Sequence, residues 1–173
     1  HKRTKKVNEN SIYSFFNDHY PICFSVIADG MDGHTQGNRA SSITIRKLKY
    51  WWNYSIAKMN FKKLNLNNIS QQLDGVFYLV NEELLKIKHE ENLNVGTTCS
   101  MIFFLNGNYL IKHVGDSRIY RIRKEFIRKL TTDHSYVQKL IKDGTISKEE
   151  ATHHPKKNML TNILEKLYQL III

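Results

Sequence analysis

The residues of this 173-residue sequence that could do chemistry gather where apolar runs stop. The run Ile22, Cys23, Phe24, Ser25, Val26, Ile27, Ala28 leads straight into Asp29-Gly30-Met31-Asp32-Gly33-His34. Its near-continuous apolar character predicts a strand buried on both faces. Such a strand ending in Asp-Gly carries a carboxylate to the rim of the core. The glycine leaves room for a backbone carbonyl to turn toward the same point. Carboxylate plus carbonyl is hard-oxygen ligation, suited to magnesium, manganese or calcium and poorly suited to zinc or copper. Asp-Gly is also a common turn dipeptide, so an ordinary turn after a strand is the alternative reading of this stretch alone. The spacing does not fit the alternating oxygen ligands of an EF-hand loop, which sets that calcium site aside. A second acid, Asp116, follows the run Tyr109 to Val114 in the same way. The two can meet only if their strands share one layered core with both ends on the same side.

The elements that must position these acids are legible in the periodicity. Ile12, Tyr13, Phe15 and Phe16 predict a first strand, hairpinned onto Ile22–Ala28, which brings Glu9 and Asn10 to the end that carries Asp29. Residues 37–59 predict a helix with Ala40, Ile43, Lys47, Trp51 and Tyr54 along one stripe, broadened by Leu48, Trp52, Ile56 and Met59. After an asparagine-rich break, Ile69, Leu73, Val76, Phe77, Val80, Leu84 and Ile87 recur at spacings of three and four, the clearest helix in the chain. Residues 96–105 then predict a strand, Asn106-Gly107-Asn108 a hairpin turn, and 109–114 the returning strand. Two further strands are expected at Ile119–Ile122 and near Phe126–Leu130. Asp133-His134-Ser135 caps a helix carrying Val137, Leu140 and Ile141, and Ser147 with Glu150 forms a capping box.

Composition narrows the function classes. The length suffices for one domain with a real core. The formal net charge is +10, but Lys and Arg are scattered and no arginine-rich run interleaves with aromatics. No nucleic-acid partner is therefore expected. No run approaches the ~20 apolar residues of a membrane helix, and no signal peptide opens the chain, so no membrane partner is expected either. The two cysteines, Cys23 and Cys99, sit in apolar runs without metal-ligand spacing and read as reduced thiols in a cytoplasmic protein. With histidine at position 1, the sequence reads as a fragment. His113, His153 and His154 read as turn or surface residues, and Arg118 as the anchor of a loop.

Several blocks together resemble one family, the metal-dependent protein serine/threonine phosphatases of the PPM or type 2C group, in their small bacterial form. They are Ala28-Asp29-Gly30-Met31-Asp32-Gly33-His34, Gly96-Thr97-Thr98, Val114-Gly115-Asp116-Ser117-Arg118, Leu130-Thr131-Thr132-Asp133-His134-Ser135 and residues 144–151, followed by His154-Pro155 and Asn158-Met159-Leu160-Thr161. The resemblance covers roughly residues 5–164. It implies an α+β fold, a four-layer αββα sandwich of two antiparallel sheets flanked by helices. It also implies hydrolysis of phosphoserine and phosphothreonine on proteins by a water that two manganese or magnesium ions activate, and a partner serine/threonine kinase as a source of substrates. Carried over by position, Asp29 resembles the carboxylate bridging the two metals and Gly30 the glycine whose carbonyl joins it. Asp116 is similar to the acid that holds a third, weaker metal. Glu9 matches the glutamate that orients metal-bound water, His34 stands where a general-acid histidine is found, and Lys5 replaces a phosphate-binding arginine. That exchange keeps the charge and loses the bidentate fork.

The departures shape the expectation as much as the matches. Asn10 stands where the family carries aspartate near the metal, and Asp32 where it carries glycine. Two further metal-ligating aspartates of the family, one in a Ser-Asp-Gly segment and one in an Asp-Asn pair, have no counterpart here. Residues 1–164 therefore read as part of the phosphatase domain, incomplete at its C-terminal side, and 165–173 as a tail that does not match. This chain by itself is expected to be weakly active or inactive, and the alternative is a catalytically inactive relative acting at most as a binding module. A half-sandwich would also leave apolar surface exposed.

Overall fold

The computed structural model describes residues 9–31, 35–164 and 171–172. They form an α+β fold of two antiparallel sheets with flanking helices. The larger sheet has five strands in the order β1 (Asn10–Phe16), β2 (Ile22–Asp29), β3 (Cys99–Leu105), β4 (Asn108–Val114) and β7 (Ile171–Ile172). The smaller is the hairpin of β5 (Tyr120–Arg123) and β6 (Phe126–Lys129), exposed along its whole length. Helices α1 (Thr35–Trp51) and α2 (Leu66–Glu91) lie between β2 and β3 in sequence and pack together on one face of the large sheet. Short helices α3 (Tyr136–Lys142) and α4 (Lys148–His153) follow the hairpin, each opened by a serine N-cap, and α4 carries the expected capping box.

The core forms where period-two strands meet period-3.6 helices. Phe24, Val26, Met101 and Phe103 point at the helices, while Leu48, Trp51, Trp52, Leu73, Phe77 and Leu84 point back. Phe24 sits at the centre. Its ring stacks on Trp52 at 5.6 Å, meets Trp51 edge-on at 5.7 Å and touches Phe103 at 6.3 Å. Lys112 on β4 is fully buried on this same face and reaches α2, where its Nζ donates to Asp74 at 2.6 Å. A cation taken out of water here is held by a carboxylate, as burial requires.

Three expectations need correction. The first helix starts at Thr35 and its α-helical part ends at Trp51, where the chain widens into a π turn over Trp52–Ile56. That extra residue per turn rephases the stripe, so Trp52 and Ile56 are buried, whereas Tyr54 and Met59 are exposed. The strand β2 is buried on its helix-facing side only, because among the described residues nothing closes over the other side, and Ile12, Phe16 and Ile27 remain exposed there. Finally, His113 is no surface residue: it is 1 % exposed, on the sheet face opposite the helices.

Candidate metal centre

Sheet order brings the acids together. β1 runs antiparallel to β2, and β2 and β4 each run antiparallel to β3. The start of β1, the end of β2, the start of β3 and the end of β4 therefore share one rim. Glu9 precedes β1, Asp29 ends β2, Thr97 and Thr98 precede β3, and Asp116 follows β4. The geometric condition placed on Asp29 and Asp116 is met, and Asn10 lies opposite Asp29 in register.

The Asp-Gly loop is held by the backbone of its neighbours. Gly30 donates its amide to the Glu9 carbonyl at 3.2 Å, and Met31 donates to the Gly96 carbonyl at 3.0 Å. The Glu9 carbonyl also accepts from Ser41 Oγ of α1 at 2.6 Å. The first turn of α1 presses so close that a Cβ on Gly30 would overlap the Gly37 carbonyl, and one on Gly37 would sit 2.9 Å from Glu9 Oε2. Two glycines without side chains are what allow the Asp-Gly loop, Glu9 and the start of the helix to occupy one place.

The electrostatics are those of like charges crowded together. Burial pushes the Asp29 carboxyl above its ordinary range, and the charges of Asp116 and then Glu9 push it further the same way. Among the described residues no Lys or Arg pairs with any of the three. The donors are all hard oxygens, which fits manganese or magnesium in kind. β2 and β4 themselves lie two strand spacings apart, about 10 Å. Among the described residues no three His, Cys, Asp or Glu side chains converge closely enough to hold an ion between them. Lys5, Asp32 and His34 lie outside the described residues.

Beneath the rim lies a buried polar layer that sequence reasoning did not assign. Ser100 Oγ lies 2.8 Å from His113 Nδ1 and 3.0 Å from the Ser117 carbonyl, and His113 Nε2 lies 3.1 Å from the Thr132 carbonyl. His134 packs on His113 at 4.9 Å, accepts the Gly115 amide on Nδ1 at 3.2 Å, and donates its own amide to the Gly115 carbonyl at 2.7 Å. Arg118 does anchor its loop, forking onto Asp133 with Nε at 3.0 Å and Nη2 at 2.5 Å. Burial raises the Asp133 carboxyl, but Arg118 and Lys129 outweigh it and hold the group below its usual range.

His113 gives a pH prediction. Burial, reinforced by the neighbouring His134, pushes its imidazole down to about 4. The unfolded chain takes this proton near pH 6.5, while the folded one resists until about 4. Its contribution is complete above the unfolded value and is lost as pH falls through that window, by about 3 kcal/mol at most. Urea denaturation across this range should show that slope, and a His113→Asn variant should flatten it.

Comparison with known proteins finds the same fold in one family. The family model described as protein phosphatase 2C matches residues 23–140. The serine/threonine phosphatase stp of Listeria monocytogenes serotype 4b (strain F2365) is 36% identical over 165 residues, covering 94% of this chain and 63% of that protein. A solved serine/threonine phosphatase of S. agalactiae superposes with a TM-score of 0.84 at 30% identity, covering 99% of this chain and 68% of that one. The catalytic domain of the serine/threonine protein phosphatase PstP, solved in complex with two manganese ions, gives a TM-score of 0.71 at 25% identity, covering 98% of this chain and 66% of that one. The chain belongs to the protein phosphatase 2C family. It spans about 63% of the length of the curated relatives it matches, which are bacterial proteins named serine/threonine phosphatases.

Thr97, Thr98, Ser117 and Gly37 are the residues whose roles the sequence did not disclose. Gly96-Thr97-Thr98 stood out as a motif, yet nothing in it pointed to Asp29, which lies 69 positions before Thr98. Gly37 carried one faint signal: a glycine in the first turn of a helix costs about 1 kcal/mol against alanine unless close approach requires it.

Proposed function

We propose that this chain forms part of a metal-dependent centre that hydrolyses phosphoserine and phosphothreonine on proteins. The observation that supports it is the placement of Glu9, Asp29 and Asp116 on one rim, where burial, then the charges of Asp116 and Glu9, raise the Asp29 carboxyl without a balancing basic partner among the described residues. Asp29, the Gly30 carbonyl, Glu9 and Asp116 would hold manganese or magnesium, two ions with a third at Asp116. Bound, the ions supply an activated water and positive charge against the negative charge developing on the phosphoryl oxygens. Lys5 would bind the substrate phosphate and His34 would protonate the leaving oxygen. Cys99 offers no competing thiol nucleophile: it is fully buried, and burial pushes its thiol far up. Residues 1–164 belong to the catalytic domain on this reading and 165–173 are a tail that does not match the family in sequence, of which Ile171–Ile172 pair with β4 at the edge of the large sheet. The substrates are phosphoproteins, supplied by a serine/threonine kinase in the cytoplasm, where the free thiols Cys23 and Cys99 stay reduced. Among the described residues no helix is long and apolar enough to cross a membrane.

A second reading, an inactive relative that binds phosphoproteins or a single weak metal, is favoured by the absence of a three-ligand cluster among the described residues. Hydrolysis of p-nitrophenyl phosphate by the 173-residue chain, with manganese titrated in, separates the two. Weak turnover that saturates with manganese and vanishes in Asp29→Ala would support the enzyme. Rates equal to Asp29→Ala at millimolar manganese would leave the binding module.

A further inference from the structure

Thr98 stands between the two acid-bearing segments and touches both. Its side chain is 2 % exposed, at a rim where a hydroxyl needs a partner. Oγ1 accepts the Asp29 amide at 3.1 Å and lies 3.0 Å from Ser117 Oγ, one residue past Asp116. Its own amide donates to the Asp29 carbonyl at 2.9 Å, which also accepts Thr97 Oγ1 at 3.0 Å. Gly115 closes the contact from the other side. It has a φ of +105°, and a Cβ there would lie 2.5 Å from Thr98 Cβ, so the loop before Asp116 rests directly on this threonine. One buried hydroxyl thus bonds to both acid-bearing segments.

We propose that Thr98 is a positioning residue that fixes the separation of Asp29 and Asp116, with Ser117 as its partner on the second segment. For metal binding the inference rests on the function proposed above; for the coupling itself it does not. Carboxylates carried on separate strand ends bind a cation well only if their spacing is set before the ion arrives, and outer contacts that orient ligands are worth about 10–100-fold in metal affinity. The hydroxyl also shields the Asp29 amide, so the coupling has a readout that needs no metal.

The test is amide hydrogen exchange by NMR on the whole chain, paired with manganese titration followed by water-proton relaxation. In Thr98→Val, which keeps the shape and removes the hydroxyl, the Asp29 amide should exchange about tenfold faster. Thr98→Ser should restore protection. The decisive variant is Ser117→Ala, a mild surface-side change that touches nothing on Asp29 directly. It should also speed exchange at Asp29, and manganese affinity should fall about tenfold in step with it. An Asp29 amide unmoved by Ser117→Ala overturns the proposal, as does a Thr98→Ser protein that behaves like Thr98→Val. Coupled exchange in a wild-type chain that binds no manganese upholds the positioning and overturns the metal reading instead.

Discussion

Truncating Phe24 to alanine is expected to cost about 4 kcal/mol of stability, a large part of what a domain this size possesses. Its ring touches both sheet-facing tryptophans and Phe103, stacked within 6° of parallel on Trp52. The cost is a lost transfer free energy plus a cavity that four large rings, Tyr13 among them, cannot collapse to fill. Phe24→Leu refills part of that volume and should lose clearly less. Urea denaturation followed by tryptophan fluorescence measures both, since Trp51 and Trp52 report on the same cluster. An alanine variant within about 1 kcal/mol of wild type would mean that the cluster is not packed as described.

Gly30→Ala is expected to be the most damaging single change at the rim. The added methyl would meet the carbonyl, carbonyl carbon and Cα of Gly37, all backbone, so no rotamer change relieves it. Either the start of α1 or the Asp-Gly loop must move, and the loop carries Asp29 and Gly30 of the proposed centre. Overpacking of this kind costs about 1–3 kcal/mol, and a displaced Asp29 should weaken manganese binding about 10–100-fold. Gly75→Ala is the matched control. It lies in α2 with open space around it, and there alanine should stabilise the chain by roughly 0.5–1 kcal/mol. Thermal melts and manganese titrations of the pair separate a steric effect at the rim from a general effect of losing a glycine. Equal manganese affinity in Gly30→Ala and wild type would remove the Gly30 carbonyl from the proposed ligands.

What the sequence disclosed followed from local periodicity. The helical repeat of Ile69 through Ile87, the hairpin at Asn106-Gly107 and the serine caps each depend on residues within one or two turns, and each matches the structure. The strand-end acids were legible for the same reason. What stayed hidden depends on partners far away in the chain. Whether His113 faces solvent or a buried layer is set by Ser100 across the ladder and by His134 beyond the β5–β6 hairpin. The π turn at Trp52–Ile56 is a slip in phase that no apolar spacing announces, because Tyr54 and Met59 are apolar enough to pass for core. Thr98 resembled any other strand threonine until the sheet order put it between two acids.

The strand order also governs when the centre can exist during folding. β1 and β2 pair within the first 29 residues and bring Glu9 to Asp29, but Asp116 joins them only after β3 docks beside β2 and β4 pairs with β3. The connection between β2 and β3 contains both long helices, so its closure is the slow, non-local step of the chain. α2 has turns enough to be helical before that closure; the rim does not. On a nascent chain, or in a refolding trace, helix content should therefore appear first, and cation affinity should wait for the arrival of Thr98.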